Sequence, residues 1–430
     1  MIERYSVPEI KKIWSLENKF RRYLDVEIAV LESLEELKII PKVSDKIKKK
    51  ARINIKRIKE IEEKTKHDVI AFVQSIEEIT GKEGRFFHYG LTSSDVIDTA
   101  NALMLRETLT KILSLLKGLN ESILKRAEEN KYLISVGRTH GIHAEPITMG
   151  LKFLSWFSEM KRCEKRLEDT IEKISYGKIS GAVGTYSQIP PEVEKLTLYK
   201  LGLKIEPVST QVIPRDRYCE FMFSLVMIGE GIERIVTEIR NLQRTEIGEL
   251  QEPFEEGQRG SSAMPHKKNP VLCERLCGMS RVLRGYLLSI LENNALWNER
   301  DISHSSVERI VIPDASELTA YMIKTLKYII DGIVINRENI KKNLELLSGL
   351  IFSSLVLNKL VEKGLMRKNA YGIVQRNAFK SEGTDGFLKN LLNDKEVRRY
   401  LSEDEIKGIF KFEHYLKNID YIFEKVKNEI

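Results

Sequence analysis

The chain has 430 residues, 42% of them hydrophobic and 31% charged, with 70 basic against 63 acidic side chains. This composition predicts a soluble globular protein of two or three domains, and no apolar run approaches membrane-spanning length. The net charge of +7 is spread along the chain without a basic tail, so we expect anionic small substrates and neither nucleic acid nor a membrane as partner. The N-terminus lacks the pattern of a secretion signal, so we expect a cytoplasmic location.

Prolines are few and strand-like alternation is scarce, so the sequence predicts an all-α protein. Residues 8–80 read as several helices, with Pro8 near the start of the first. Five long helical patterns follow: from Ser93 or Ser94 to about Asn130, from Pro146 to about Ile174, from Pro214 to about Leu250, from Pro270 to about Asn293, and after Pro313.

The apolar stripes of these five helices can be buried only if the helices lie side by side. We therefore expect three regions: an N-terminal helical domain at residues 1–92, an elongated long-helix bundle at residues 93–342, and a C-terminal helical domain at residues 343–430. The last region should contain shorter helices broken at Gly349, Gly364 and Gly383.

The densest polar motif is the run Gly260-Ser-Ser-Ala-Met-Pro-His-Lys-Lys-Asn-Pro270, just before the fourth long helix. Asn269 is expected to cap that helix. The loop offers Ser261 or Ser262 as a base or nucleophile and Lys267 as a fixed positive charge. For any one of these residues, an ordinary exposed loop is the alternative interpretation.

Other polar stretches stand at the ends of helices. Lys66-His67-Asp68 places cations beside an acid. The turn from His88 to Asp95 contains Thr92 and Ser93, whose hydroxyls and free N–H groups suit a carboxylate or phosphate, although a plain helix cap is the alternative.

Two further stretches carry imidazole and guanidinium groups. His140 and His143 could ligate a metal, but no third ligand is evident nearby, so a general acid or base fits better. Arg300 and Arg309 could bind anionic groups by two-pronged hydrogen bonds. Salt bridges to nearby acids, namely Glu299, Asp301 or Glu308, are the alternative for both arginines.

The loop at 260–270 matches G-S-S-x-M-P-x-K-x-N, the signature of the fumarase/aspartase superfamily, at every fixed position. Together with Arg4-Tyr5, Lys66-His67-Asp68, Thr92-Ser93, Thr139-His140 and the Glu-Arg-Asp-Ile-Ser-His-Ser-Ser stretch at 299–306, it makes the chain resemble the adenylosuccinate lyase family. The resemblance covers nearly the full length, and the motifs occur in the family's order.

This resemblance implies three helical domains, with the middle domain joining four subunits through a twenty-helix core. The homotetramer would build each active site from three subunits. The implied reactions are β-eliminations without metal or cofactor: adenylosuccinate to AMP and fumarate, and SAICAR to AICAR and fumarate. Both belong to purine biosynthesis.

The resemblance also implies residue roles. Ser261 matches the general base, His140 the general acid, and Glu274 the partner of the catalytic histidine, although a helix-start glutamate is the alternative for Glu274. Lys267 and Asn269 would bind the carboxylate on which charge develops. Further matches to substrate-binding positions, with His88, Lys66, Lys268 and Ser306 as additional candidates, are Arg4, Tyr5, His67, Asp68, Thr92, Ser93, Gln211, Ser262, Arg300, Ser305 and Arg309.

Two alternatives remain open at this point. One is another lyase of the superfamily, such as argininosuccinate lyase, or a carboxymuconate-type cycloisomerase. The other is a non-catalytic helical scaffold, although a scaffold has no need of Ser261, Lys267, Asn269, His140 and Glu274 together.

Overall fold

The computed structural model describes residues 1–381 and 386–429, and most of them are helical. The all-α prediction is therefore confirmed. Gly383, an expected helix break, and Ile430, the end of the expected C-terminal domain, lie outside the described residues. The chain divides into two compact units. The first unit contains Met1–Lys117, Cys163–Ile232 and Gly278–Lys324, and the second contains Gly118–Arg162, Glu233–Cys277 and Thr325–Ile430. The expected bounds at 92 and 342 stay a prediction.

The first part of the chain forms the expected short helices. They are α1 (Pro8–Ile13), α2 (Leu16–Glu36), α3 (Ser44–Lys50), α4 (Ile55–Thr65) and α5 (Asp68–Thr80). The long helices are α6 (Ser93–Glu129), α7 (Met149–Ile174), α9 (Asp216–Leu242), α10 (Val271–Glu292) and α11 (Ser303–Gly332). The shorter helix α8 (Pro191–Leu201) lies between α7 and α9 in the chain. The chain continues through α12 (Arg337–Glu345), α13 (Ser353–Glu362), α14 (Arg367–Ala378), α15 (Gly386–Asn393), α16 (Glu403–Ile409), α17 (Glu413–Leu416) and α18 (Ile419–Glu429).

The segments between these helices contain short strands, which pair two by two. Strands β1 (Ile134–Thr139) and β2 (Ile142–Thr148) form an antiparallel hairpin. Strands β3 (Tyr176–Gly177) and β4 (Lys204–Ile205) are parallel, and β5 (Leu250–Gln251) and β6 (Val334–Ile335) are antiparallel.

The prediction of a helix from Pro146 was wrong, because residues 142–148 belong to β2. The β-branched side chains of Val136, Ile142 and Ile147 suit a sheet, and Pro146 lies opposite Val136 in the hairpin. Helix α7 starts only after Thr148, whose hydroxyl accepts the Leu151 N–H at 3.1 Å.

Two other helix ends were also predicted wrongly. Helix α9 ends at Leu242 rather than near Leu250, since the chain turns through Gly248, whose φ is +59°. Helix α11 begins at Ser303, where Asp301 accepts the Ser303 N–H at 2.8 Å, and it continues through Pro313. Proline cannot donate a helix hydrogen bond, and this loss destabilises the helix. The burial of neighbouring side chains, such as Ile312 and Ala315, offsets the loss.

Within each unit the long helices pack directly on one another. In the first unit, the Ser280 hydroxyl of α10 donates to the Gly229 carbonyl of α9 at 2.8 Å. In the second unit, Arg126 of α6 donates to the Ile330 carbonyl of α11 at 3.0 Å. No single helix in the described ranges is long and apolar enough to cross a membrane; the bent pair Arg337–Glu345 and Leu350–Glu362 passes that test together, by length and composition only.

An aromatic cluster forms the centre of the first unit's small helices. Phe72 of α5 stacks on Phe20, with ring centroids 5.7 Å apart, and contacts the edge of Tyr23 at 5.8 Å. Phe87 completes the cluster at 5.7 Å from Phe72. This packing fixes α2 and α5, whose ends carry several candidate site residues.

We expect Phe72→Ala to lower the free energy of unfolding by about 3–5 kcal/mol, because it leaves a cavity among these rings. The matched control is Ile70→Ala on the same helix, where the side chain is 43% exposed and little change is expected. Urea-induced unfolding of both variants measures the difference. Equal stability of the two variants would contradict the assigned core.

Candidate active site

The run at 260–270 forms a loop between β5 and α10 that is held by its own hydrogen bonds. The Asn269 side-chain amide donates to the Gly260 carbonyl at 2.9 Å, and the Lys267 N–H donates to the Met264 carbonyl at 3.0 Å. A Cβ at position 260 would lie 2.1 Å from the Lys267 carbonyl oxygen, so this close approach requires glycine.

The hydroxyl of Ser261 is the acceptor at the centre of this loop. Its Oγ accepts the N–H of Ala263 at 3.3 Å and the N–H of Met264 at 3.1 Å. Donors aimed at a hydroxyl oxygen favour its deprotonated form, so the loop geometry favours an alkoxide at Ser261. Most of the neighbouring loop side chains are exposed, including Ser262, Lys267 and Lys268.

The prediction that Asn269 caps α10 was wrong. The buried carboxylate of Glu252 accepts the N–H groups of Leu272 and Cys273 at 3.2 and 3.0 Å. Its negative charge also interacts favourably with the positive end of the helix dipole. The Asn269 amide is used inside the loop instead.

His140 lies at the tip of the β1–β2 hairpin, exposed and with φ +55°. The strand before it is fixed by Arg138, which donates to both carboxylate oxygens of Glu249 at 3.2 and 2.5 Å. Glu249 is fully buried and also accepts the Asn343 side-chain amide at 2.8 Å. Sequence reasoning missed Glu249, since it lies far from His140 in the chain.

The expected pairing of His140 with Glu274 does not occur within one chain. Both side chains are exposed, and neither forms a hydrogen bond or ion pair with any residue that the structure describes. The neighbouring His143 has a lowered pKa, first because of burial and then because of the positive charge of Arg138. Among residues 1–381 and 386–429, no three His, Cys, Asp or Glu side chains are grouped so as to bind a metal ion.

In the first unit, Asp68 lies between two cations. Its carboxylate is 3.3 Å from Lys19 Nζ and 2.7 Å from Arg309 Nη2. Burial alone would raise the pKa of Asp68, but these positive charges outweigh burial and lower it. Arg309 also donates to the Ser305 hydroxyl at 3.3 Å. Asp68 is thus the salt-bridge partner of Arg309, rather than one of the acids close to it in sequence.

His67, beside Asp68, caps helix α5. Its Nδ1 accepts the Ile70 N–H at 3.3 Å, and its Nε2 is 3.5 Å from the Ser93 hydroxyl. Two of the predicted substrate-binding residues, His67 and Ser93, therefore lie close together. Lys66 is exposed at the left-handed end of α4, with φ +55°.

Arg300 has neutral partners, in contrast to Arg309. Its Nη1 donates to the Gln211 side-chain oxygen at 2.9 Å, and its Nε donates to His304 Nε2 at 3.4 Å. Because arginine can only donate, His304 Nε2 must carry a lone pair. No carboxylate neutralises Arg300 in these contacts, so its positive charge is available to an anion. The salt-bridge alternative for Arg300 does not hold.

A buried ion pair lies behind His304. Arg215 binds both oxygens of Asp98, at 2.9 and 3.0 Å, and its Nε is 2.9 Å from a Glu308 oxygen. A cavity of about 300 Å³ opens beside this pair and is lined by Arg300, Ser305 and Arg309 together with apolar groups such as Trp14 and Ile312.

The start of α6 depends on another buried carboxylate, Asp95. It accepts the N–H of Thr92 at 2.8 Å and that of Ser180 at 3.1 Å, and it forms an ion pair with Lys178. Both charged side chains are 0% exposed. Sequence reasoning missed Lys178, although a lysine within Gly177-Lys-Ile-Ser-Gly-Ala-Val183 is a signal of a buried partner.

The remaining candidates also belong to the first unit. Arg4 is exposed and Tyr5 packs edge-on against Tyr321, with ring centroids 5.2 Å apart. Ser306 is exposed and its hydroxyl donates to the Ser303 carbonyl at 3.3 Å. His88 contacts Glu27 in α2, at 2.6 Å between Nδ1 and Oε1.

Comparison with known proteins gives concordant results. A family described as Lyase matches residues 4–285, and one described as Adenylosuccinate lyase C-terminus matches residues 349–426. The adenylosuccinate lyase of Thermotoga maritima is 54% identical over 100% of both chains, and that of Aquifex aeolicus is 51% identical over 99% of both. A fumarate lyase structure from Mesorhizobium sp. BNC1 superposes with a TM-score of 0.90, at 22% identity over 100% of both chains, which supports the fold.

We expect Lys178→Met to lower the free energy of unfolding by about 3–5 kcal/mol, because it leaves the buried Asp95 without its cation. The matched control is Lys204→Met, which removes an exposed partner of Glu172 and should change little. Urea denaturation measures both. A Lys178→Met protein as stable as the control would show that Asp95 does not need its cation.

Proposed function

The chain belongs to the adenylosuccinate lyase family, and from this membership we propose that it catalyses both β-eliminations of that family. The first converts adenylosuccinate to AMP and fumarate, and the second converts SAICAR to AICAR and fumarate. Both reactions break a C–N bond and form a C=C bond without water as a reactant. We also propose that it acts in the cytoplasm.

Such an elimination needs three kinds of group. A base removes a proton from the carbon next to a carboxylate, cations stabilise the charge that develops on that carboxylate, and an acid protonates the departing nitrogen. The electron pair of the broken C–H bond forms the C=C bond, while the C–N pair leaves with nitrogen and accepts the new proton.

Ser261 is proposed as the base. The observation that carries this assignment is the pair of N–H donors, from Ala263 and Met264, that converge on its Oγ. These donors stabilise an alkoxide, without which a serine hydroxyl is a poor base at neutral pH. Lys267 and Asn269 of the same loop are proposed to bind the substrate carboxylate.

His140 is proposed as the acid, since it stands exposed at the tip of a hairpin that Arg138 and Glu249 anchor. Imidazole is also the side chain whose unperturbed pKa lies nearest neutrality. Glu274 is proposed as its partner in the assembled enzyme.

Substrate binding is assigned to the charged and hydroxyl groups of the first unit. Arg300 is bound by neutral acceptors and so offers an unneutralised charge to a phosphate or carboxylate. Ser305 and Arg309 line the same cavity. Thr92 and Ser93 contribute hydroxyl and N–H groups at the start of α6.

A homotetramer with shared active sites is part of the proposal. Several large apolar side chains of the first unit are exposed on its long helices, among them Phe223, Val282, Leu288, Leu291 and Ile310. Leu288, for example, is 62% exposed. Faces of this kind are typical of a surface that a partner covers. Assembly through them would supply residues such as His140 to a neighbouring chain's Ser261.

We expect Ser261→Ala and His140→Ala each to lower turnover of adenylosuccinate by at least about 10²-fold, since each removes a proton-transfer group. An ultraviolet assay of AMP and fumarate formation measures this, with the exposed His414→Ala as control. Near-normal rates in either variant would refute its role. A wild-type protein that cleaves argininosuccinate instead would identify a different lyase of the superfamily.

We expect a mixture of the two inactive variants to regain activity after joint dissociation and reassociation. A site that takes His140 from one chain and Ser261 from another can then contain two intact residues. Each variant treated alone is the control and should stay inactive. If mixed tetramers form but remain inactive, both residues come from the same chain.

A further inference from the structure

One buried carboxylate, that of Glu27 in α2, binds only His88 in the described structure. Its Oε1 is 2.6 Å from the imidazole Nδ1, and its Oε2 accepts the backbone N–H of His88 at 2.9 Å. Glu27 is 1% exposed. His88 has φ +62°, a left-handed conformation that non-glycine residues seldom adopt, and these two hydrogen bonds stabilise it there.

The charged groups that influence the His88 ring most are acidic. Glu27 faces it from α2, Glu77 from α5 and Asp95 from α6. Burial by itself lowers the pKa of His88, but the hydrogen bond and charge of Glu27, followed by the charges of Asp95 and Glu77, outweigh burial and raise it. Since Lys178 already pairs with Asp95, Glu27 is the principal counter-charge of the imidazole.

With Nδ1 bound to Glu27, only Nε2 of His88 remains to bind another group. The His88 side chain is 21% exposed and lies in the same turn as Thr92 and Ser93, which lead into α6. A protonated imidazole there offers an N–H donor and a positive charge together, which suits an oxyanion.

We propose that Glu27 is a positioning residue that maintains His88 as an imidazolium whose Nε2–H binds an oxyanion of the substrate. The proposal rests on the proposed function for the identity of the substrate. Glu27 itself does not touch substrate and acts only through His88. A merely structural Glu27 would fix the turn equally well at every pH.

The test is Glu27→Gln, which keeps the size of the side chain and removes its charge. Without that charge His88 loses its proton at lower pH, so the defect should appear on the alkaline side. We expect the kcat/KM of the variant to be about tenfold below that of the wild type at about pH 8.5, and within about twofold of it at about pH 6. This decrease in kcat/KM should come from a higher KM. Other titrating groups are common to both proteins, so the ratio of variant to wild type isolates Glu27.

The matched control is Glu77→Gln, the same chemical change at a carboxylate that makes no hydrogen bond to His88. Because Glu77 is a weaker influence on the pKa of His88 than Glu27, the ratio of Glu77→Gln to wild type should change much less with pH than that of Glu27→Gln. The double variant Glu27→Gln/His88→Asn should be no worse than His88→Asn alone. A defect of equal size at every pH, or one that adds to His88→Asn, would overturn the proposal.

Calorimetric binding of AMP and of fumarate identifies the oxyanion without requiring turnover. If His88 binds a phosphate, Glu27→Gln should weaken AMP binding at high pH and leave fumarate unchanged, and the reverse holds for a carboxylate. Unchanged binding of both would refute the role of Glu27. Absence of adenylosuccinate cleavage by the wild type would instead refute the proposed function, and the two failures are thus distinguishable.

Discussion

The buried carboxylate of Asp95 is the interaction on which the first unit's candidate site depends. An ionised carboxylate without water is stable only when cations and donors surround it. Lys178 and the N–H groups of Thr92, Ser180 and Gly181 provide this surrounding, and they come from both sides of the contact between α6 and the loop after β3. Three residues further along α6, Asp98 repeats the arrangement with Arg215. The first turns of α6 are thus tied to two later segments of the chain by charge.

This arrangement separates cations that stabilise the fold from cations that remain free for a ligand. Lys178 and Arg215 are buried with carboxylates and cannot attract an anion from solvent. Arg309 shares Asp68 with Lys19, so its charge is only partly neutralised. Arg300 is bound by an amide oxygen and an imidazole nitrogen, and it keeps its full charge. The sign of the net chain charge is therefore less informative than the partner of each arginine.

Sequence reasoning predicted the helices well where apolar periodicity was long, as in α6 and α10. It failed at the starts of α7 and α11. The hairpin before α7 has a register shift between Val136 and Arg138, and buried and exposed residues do not alternate regularly along its strands. Pro313 was read as a helix start, although it lies inside α11. The polar motifs supplied the candidate site residues, whose roles stay a prediction, but the partners of these residues could not be read from the sequence. Glu249, Glu252 and Lys178 contact residues distant in the chain, and only folding brings such pairs together.

The residues that support the candidate catalytic and binding side chains are more buried than those side chains. Glu249, Glu252, Asp95 and Glu27 are all buried, and each binds a cation, an imidazole or backbone N–H groups. In the second unit, Glu249 supports the hairpin that carries His140, and Glu252 caps the helix that carries Glu274. Both of these candidate side chains are exposed to solvent. In the proposed assembly, each chain would bring its part of a site with these buried supporting contacts already formed, so that association need order little else. In the proposed homotetramer, a shared site of this kind would lose little conformational entropy when subunits associate, and this would favour the tetramer over a monomer that closes its own loops around the substrate.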